Sequence, residues 1–383
     1  MQNSNQPLFF YYSLFIFVIL PSVFMSLAPF PVMTFVPIFF LILVYLTVRN
    51  NWSIGIGNFL LILSASFIFI LLSVKGYPNT AIYIFSGYIG LIFGLMLPHQ
   101  NSKLLFEHIN IYVYLIIFVY IGITWNSINL PILFQTFNPN GDTSFFIPFT
   151  FYGSKYQIIR PSSFYFEPGY LAFYLISFLY CRKLLGIDKP FDKYLALAGL
   201  VTQSFTYIVV LILYLATFQR RSVSTNRLLS ILLIVIPILY LALSSSYLDW
   251  VFIRTFRWSE DPYSAIRYLQ FLELVELLRD PNIFINGIHS CNLGADACPR
   301  ITGNPIAPLI RGGLIAYLPV FIGFIYLLFL AILSMNYNSF LALISLAILM
   351  TAKPIYVQYP YSIMVGLFIA AIIINLFNQN NYE

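Results

Sequence analysis

The chain has 383 residues, 60% of them hydrophobic and only 8% charged, with a formal net charge of +6 and a mean hydropathy of +0.86. A soluble domain carries roughly 25% charged residues, so this composition excludes one. Apolar runs of about 20 residues recur from end to end, each long enough to cross a bilayer, and their continuity argues against an alternating, water-filled β-barrel. The composition therefore predicts an all-α polytopic membrane protein.

The first apolar run, 8–28, has no Lys or Arg before it and no small-residue cleavage pattern after it. It reads as a retained span, not a removed signal peptide. Further spans at 32–48, 54–74, 80–97 and 109–129 complete a five-span N-terminal bundle, 1–129. A polar segment, 130–166, contains Asn138-Pro-Asn-Gly-Asp142. The central region, 167–246, opens with a span over 167–184 and a basic turn holding Arg182, Lys183, Lys189 and Lys193. An apolar run, 194–218, is interrupted by Thr202-Gln-Ser204 and followed by Arg220, Arg221 and Arg227. A span at 228–246 leads to a long polar segment, 247–304. The C-terminal region, 305–383, has apolar runs at 306–333, 339–352 and 362–377.

Short basic loops stay in the cytoplasm, which makes the two clusters at 182–193 and 220–227 markers of one side. The run between them is too short for two full crossings at about 1.5 Å per residue. A hairpin of short helices with Gln203 and Ser204 at its tip, buried in protein, resolves this. The alternative is one ordinary span that breaches the rule. With the hairpin counted as two, about 12 transmembrane or membrane-buried helices result, with both termini cytoplasmic. Segments 130–166 and 247–304 then face the periplasm. Ten of the 19 Lys and Arg residues fall on that outer side, among them Lys75, Arg160, Arg279 and Lys353. Cations held there against the usual bias ask for an anionic partner.

Within the outer segment, Asp261-Pro262 has the look of an N-cap followed by proline. Leu269, Leu272, Val275 and Leu278 then recur at helical spacing, and Asp280-Pro-Asn282 is expected to stop that surface helix. No repeats, low-complexity tracts or nucleic-acid-binding motif occur.

Arg160 and Glu167 lie seven positions apart where a polar segment enters a span. Arginine keeps its charge and grips phosphate bidentately. A carboxylate at a dry boundary can act as a general base. The same two residues also read as a structural pair, with Glu167 meeting the helix dipole ahead of Pro168. Arg254, Arg257, Arg267, Arg300 and Arg311 form a second group of cations. Pairing with Glu273 and Glu276 accounts for Arg279, but not for Arg311, which stands inside an apolar run beside Gly312-Gly313. An ionisable residue there is a functional candidate, and glycines allow close backbone approach to a ligand or helix. His289 is the one histidine of the outer segments and a second candidate for proton transfer. Cys291 and Cys298 fall on the oxidising side and are expected to form a disulfide. No His, Asp and Glu cluster has metal-ligand spacing, so neither metal nor soluble cofactor is expected.

The stretch 160–175 keeps the spacing of an arginine, a serine (Ser163), an aromatic, Glu167-Pro168 and Leu171-Ala172. In this it resembles the signature of the O-antigen polymerases (Wzy), multi-span enzymes of the polymerase and ligase superfamily. Leu200-Val-Thr-Gln-Ser204 is similar to a short element that follows in such proteins. Arg257, Ser264-Ala-Ile-Arg267 and Gly287 resemble the order of their outer loop. The resemblance covers about the C-terminal 60% of the chain, and the first five spans match only in character. It implies a GT-C-like helical fold, undecaprenyl-pyrophosphate-linked glycan as substrate, Tyr170 among the substrate-binding residues, and a chain-length regulator as a protein partner. One departure is that Gly303-Asn304-Pro305 stands where the family often shows His-Asn, which tilts the reading from ligase to polymerase. A ligase passing glycan to a lipid A core and a flippase of lipid-linked glycan are the rivals. The flippase should show internal pseudo-repeats, which are not evident here.

The hairpin has a direct test. With Lys189→Cys and Ser224→Cys introduced separately into a cysteine-free background, both sites are expected to be labelled only from the cytoplasmic side. External labelling of one alone means a single crossing.

Overall fold

The computed structural model describes residues 56–76, 78–96, four strands within 134–163, and most of 168–217, 275–287, 307–352 and 361–379. The described residues are helical apart from one four-stranded sheet. Helix α1 is Ile56–Val74 and α2 is Pro78–Met96. Strands β1 (Phe134–Phe137), β2 (Thr143–Phe146), β3 (Thr150–Gly153) and β4 (Ile159–Ser163) follow. Helices α3 (Pro168–Leu184), α4 (Asp192–Ala198), a 3-10 turn (Gly199–Thr202) and α5 (Phe205–Ala216) make the central part. Helices α6 (Pro281–Asn286), α7 (Ala307–Leu333), α8 (Tyr337–Ala352) and α9 (Tyr361–Gln379) complete the order.

One helix among these, Gly312–Leu333 with 22 residues, is long and apolar enough to cross a membrane by length and composition. The remaining apolar helices are shorter. Two helices also turn apolar stripes outward. Leu60, Leu63, Phe67, Ile70 and Val74 recur at three- or four-residue spacing along α1, each at least 49% exposed. Ile322, Ile325, Phe329 and Ile332 do the same along α7. Stripes of this extent belong against an apolar phase or a partner, not against water.

The tightest pair in the bundle is α2 against α9. A Cβ on Gly90 would meet the Ser362 side chain, one on Gly94 the Ile363 carbonyl oxygen, and one on Gly366 the Leu91 carbonyl oxygen. Small residues four apart on both helices therefore bring the two backbones into contact, as helices associate where lipid replaces the hydrophobic drive. Gly90 meets Ser362 and Gly94 meets Gly366, so the two helices run parallel. Helix α3 runs the same way. Its Tyr174 ring lies 5.7 Å from Tyr361, and its terminal Leu184 carbonyl accepts from Asn375 Nδ2 at 2.8 Å.

That last bond belongs to a polar knot at one end of the bundle. Asn336 Nδ2 and Ser339 Oγ both donate to Asn375 Oδ1, at 2.9 and 3.0 Å. Asn336 Oδ1 accepts from the Ser339 backbone at 3.0 Å and so caps α8. A carbonyl orphaned at the end of α3 and an orphan amide at the start of α8 are satisfied together.

The run expected as a hairpin breaks at the 3-10 turn, 199–202, and doubles back; Gln203, expected at its tip, lies outside the described residues. Helix α4 has seven residues and α5 twelve, so neither reaches across about 30 Å of hydrocarbon. Asp192, at the start of α4, bonds Arg182 near the end of α3, and Tyr214, near the end of α5, lies against Tyr180 with ring centroids 5.1 Å apart. Both limbs thus meet the same end of α3. The Tyr207 hydroxyl donates to the Ala196 carbonyl at 2.6 Å and ties the limbs together. Gly199 leaves room for that ring, since a Cβ there would run into Tyr207 and Leu175.

Two features go beyond the expectations. Segment 130–166, read as a polar stretch, carries an antiparallel meander in the order β1-β2-β3-β4. Residues Asp280-Pro-Asn282, read as a stop, also start a helix. Asp280 accepts from the Asn282 backbone at 2.9 Å, and Pro281 takes the first helical position of α6.

Close contact of α2 and α9 predicts that Gly366→Leu, forcing a side chain onto the Leu91 carbonyl, costs roughly 1–3 kcal/mol or more. A fall in the midpoint of thermal unfolding of the detergent-purified protein, absent for Gly323→Leu where a Cβ meets nothing, is the expected result.

Candidate functional site

One end of the bundle gathers the elements that bear Arg160, Tyr170 and Arg311. Helices α2, α3 and α9 all start there, and α1 finishes there, since Val74 and Pro78 are joined by a short turn. Strand β4 packs beside the start of α3 and beside the 3-10 turn. β4 and the start of α3, which lie in the stretch 160–175, are therefore neighbours in the fold of the distant residues 200–202.

Arg160 stands on β4, where its Cα partner is Tyr152 of β3. Among the described residues β4 is an edge strand, which explains how Pro161 fits. Proline cannot donate to a ladder and is tolerated where no further strand pairs. Tyr170 lies in the first turn of α3.

Arg311 lies on α7, two residues before Gly313. Gly313 has φ 68° and ψ 174°, so the helix is broken there into an initial segment, 307–312, and the long span beyond. That backbone region is open essentially to glycine alone. A Cβ on Gly313 would also collide with the Ile285 carbonyl oxygen of α6. The glycine pair flagged in the sequence thus admits another helix to within backbone contact. Helix α6 ends at Asn286, whose Oδ1 accepts from Lys75 Nζ at 2.7 Å. Gly287 (φ 79°) closes the helix. A narrow crevice lies between α1, α6 and α7, lined by Ile68, Leu72, Lys75, Asn286, Gly312 and Ala316. Beneath it the Tyr88 hydroxyl donates to the Ala316 carbonyl at 2.6 Å, joining α2 to α7.

The fold therefore brings Arg160, Tyr170 and Arg311 to the same end by their backbone positions. Glu167, His289, Arg254, Arg257, Arg267, Arg300, Cys291 and Cys298 lie outside the described residues. Lys75 and Asn286 were not singled out by the sequence as a pair, being far apart along the chain and ordinary in their own surroundings. The opposite end holds the buried ion pair of Arg182 and Asp192, at 2.8 Å and with both side chains fully buried.

Compared with protein-family models, with characterised proteins and with solved structures, the chain finds no match in any of the three.

Proposed function

We propose that this chain is a membrane glycosyltransferase that polymerises undecaprenyl-pyrophosphate-linked oligosaccharide repeat units into O-antigen or a related surface polysaccharide. It lies in the bacterial inner membrane as a polytopic helical protein of about 12 membrane-embedded segments. The end bearing Arg160 and Arg311 faces the periplasm. The observation that carries this reading is the meeting of β4 and the start of α3 with the 3-10 turn. The described parts of the two elements on which the resemblance rests, β4 with the start of α3 and residues 200–202, come together at the end that also bears Arg311.

The chemistry follows from the residue types. A sugar hydroxyl of the incoming unit attacks the anomeric carbon of the growing glycan. The bond from that carbon to the pyrophosphate oxygen breaks, and the pyrophosphate leaves on its lipid with added negative charge. Arg160 and Arg311 hold that charge as it develops, with bidentate geometry that lysine lacks. Arg254, Arg257, Arg267 and Arg300 extend the phosphate-binding surface, and Tyr170 offers a ring and hydroxyl to the sugars. Glu167, or His289 in its stead, takes the hydroxyl proton. No metal is required, because the guanidinium groups supply the positive charge.

Deleting the gene tests the reading in the cell. Single repeat units on the lipid A core are expected. Polymer stranded on carrier lipid with none on the core points instead to the ligase. Arg160→Ala and Arg311→Ala should each abolish polymerisation with the protein still in the membrane, and Arg→Lys should restore little. Wild-type glycan length in either alanine variant sinks the assignment.

Glu167→Gln separates a base from a helix-end partner. The amide keeps the shape and can accept a hydrogen bond, but takes no proton at neutral pH. Turnover of purified lipid-linked repeat units should vanish while abundance is unchanged. A partner of the helix dipole would lose only about 1 kcal/mol of stability and retain activity. His289→Ala run beside it shows which outer segment holds the proton acceptor.

A further inference from the structure

Building on the role given to Arg311 above, we propose that helix α6 is a positioning element for Arg311, held to α1 through Asn286 and Lys75 and to α7 through Gly313. The argument begins at the kink. Residues 307–312 leave the axis of the long span because Gly313 takes φ 68° and ψ 174°. The void at that position is filled by the backbone of Ile285 and Asn286. The three atoms nearest to where a Gly313 Cβ would point all belong to Ile285 and Asn286. The direction in which the turn bearing Arg311 departs is thus set where α6 presses on the glycine.

Helix α6 is itself fixed at both ends. Asp280 caps its start and Gly287 closes its end. Its last residue, Asn286, accepts from the Lys75 ammonium at 2.7 Å. That bond joins the outer segment to the end of α1, a helix far away in sequence. An exposed hydrogen bond of this kind adds little to global stability. Its effect falls on where α6 sits, and through Gly313 on where Arg311 sits. Asn286 and Lys75 are positioning residues in this scheme, and neither needs to touch the substrate.

The test is a set of double-mutant cycles on the full-length purified protein, reading affinity for undecaprenyl pyrophosphate and the unfolding midpoint. Asn286→Ala should weaken binding about tenfold, the size of one charged hydrogen bond misplaced, with an unchanged midpoint. Asn286→Asp keeps an acceptor for Lys75 and should restore most of the loss. In an Arg311→Ala background, Asn286→Ala should have no further effect, because a positioning residue has nothing left to position. Lys75→Ala should behave as Asn286→Ala and add nothing to it. Losses from Asn286→Ala and Arg311→Ala that simply add overturn the inference and leave the role of Arg311 intact. A Lys75→Ala loss that adds to both shows a direct phosphate contact and overturns the role given to Lys75. Wild-type binding by Arg311→Ala removes the role of Arg311, and this inference with it. Should Asn286→Ala fold poorly, Gly313→Ala provides the same cycle from the other face of the contact, and additivity with Arg311→Ala again overturns it.

Discussion

Arg182 and Asp192 are both fully buried and share a bond of 2.8 Å, and the course of the chain at the far end of the bundle depends on them. Two charges taken out of water cost several kcal/mol each, repaid only where their geometry is close and their remaining donors are used. Here they are used. Arg182 Nη2 donates to the Ile187 carbonyl at 3.1 Å, and Asp192 Oδ2 also accepts from the Lys189 backbone at 3.2 Å. Lys183 and Asp188, at 3.1 Å, brace the same turn from its surface. The turn between α3 and α4 is thereby closed, so α4 must return along α3 instead of leaving it. That return carries the 3-10 turn back to β4.

The other half of the bundle is held by backbone contact instead of charge. Parallel α2 and α9 touch through Gly90, Gly94 and Gly366, which leaves α2 free to offer Tyr88 to the Ala316 carbonyl on α7. That hydroxyl bond, with the close packing of Gly312 on Ile84, seats α7 against α2. From that seating follows the level at which Gly313 meets α6. The polar knot of Asn336, Ser339 and Asn375 pins the opposite ends of α3, α8 and α9, so the helices cannot slide past one another.

Within the described residues the helical layout was legible because apolar runs in such a chain are continuous and bounded by polar turns; the runs read at 8–28, 32–48, 109–129 and 228–246 lie outside those residues. The run read at 306–333 is α7, Ala307–Leu333, and that read at 54–74 is α1, Ile56–Val74. The break at Thr202-Gln-Ser204 was visible as polar residues in an apolar stretch. What escaped has physical reasons. Strands of four or five residues, rich in Thr, Ser and Phe, have too little alternation to stand out within a polar segment. Helix α6, Pro281–Asn286, is too short for a periodic signal, and Asp280-Pro281 reads as an end as readily as a start. The Gly312-Gly313 pair announced a close approach without saying to what. Of the candidate site, Arg160 and Arg311 were found by their charge in unlikely places. Asn286 carries no charge, and Lys75 was one outer cation among ten, so their pairing exists only in three dimensions.

The two ends of the bundle differ in how their backbone is built, and this difference bears on where a ligand belongs. At the Arg182 end, helices finish in caps and charge pairs that consume their own donors and acceptors. At the Arg160 end the described backbone is irregular at or beside Arg160 and Arg311: the last strand of the sheet carrying Pro161, a 3-10 turn packed on it, and a helix broken at a glycine of positive φ. Irregular backbone at a membrane costs unpaired polar groups unless protein buries it or water and ligand reach it. Regular helices would have been the less costly solution for packing alone. Edge strand, turn and kink all depart from the regular helix that makes up most of the described bundle. On the function proposed above, this is the end at which the lipid-linked pyrophosphate would meet Arg160 and Arg311.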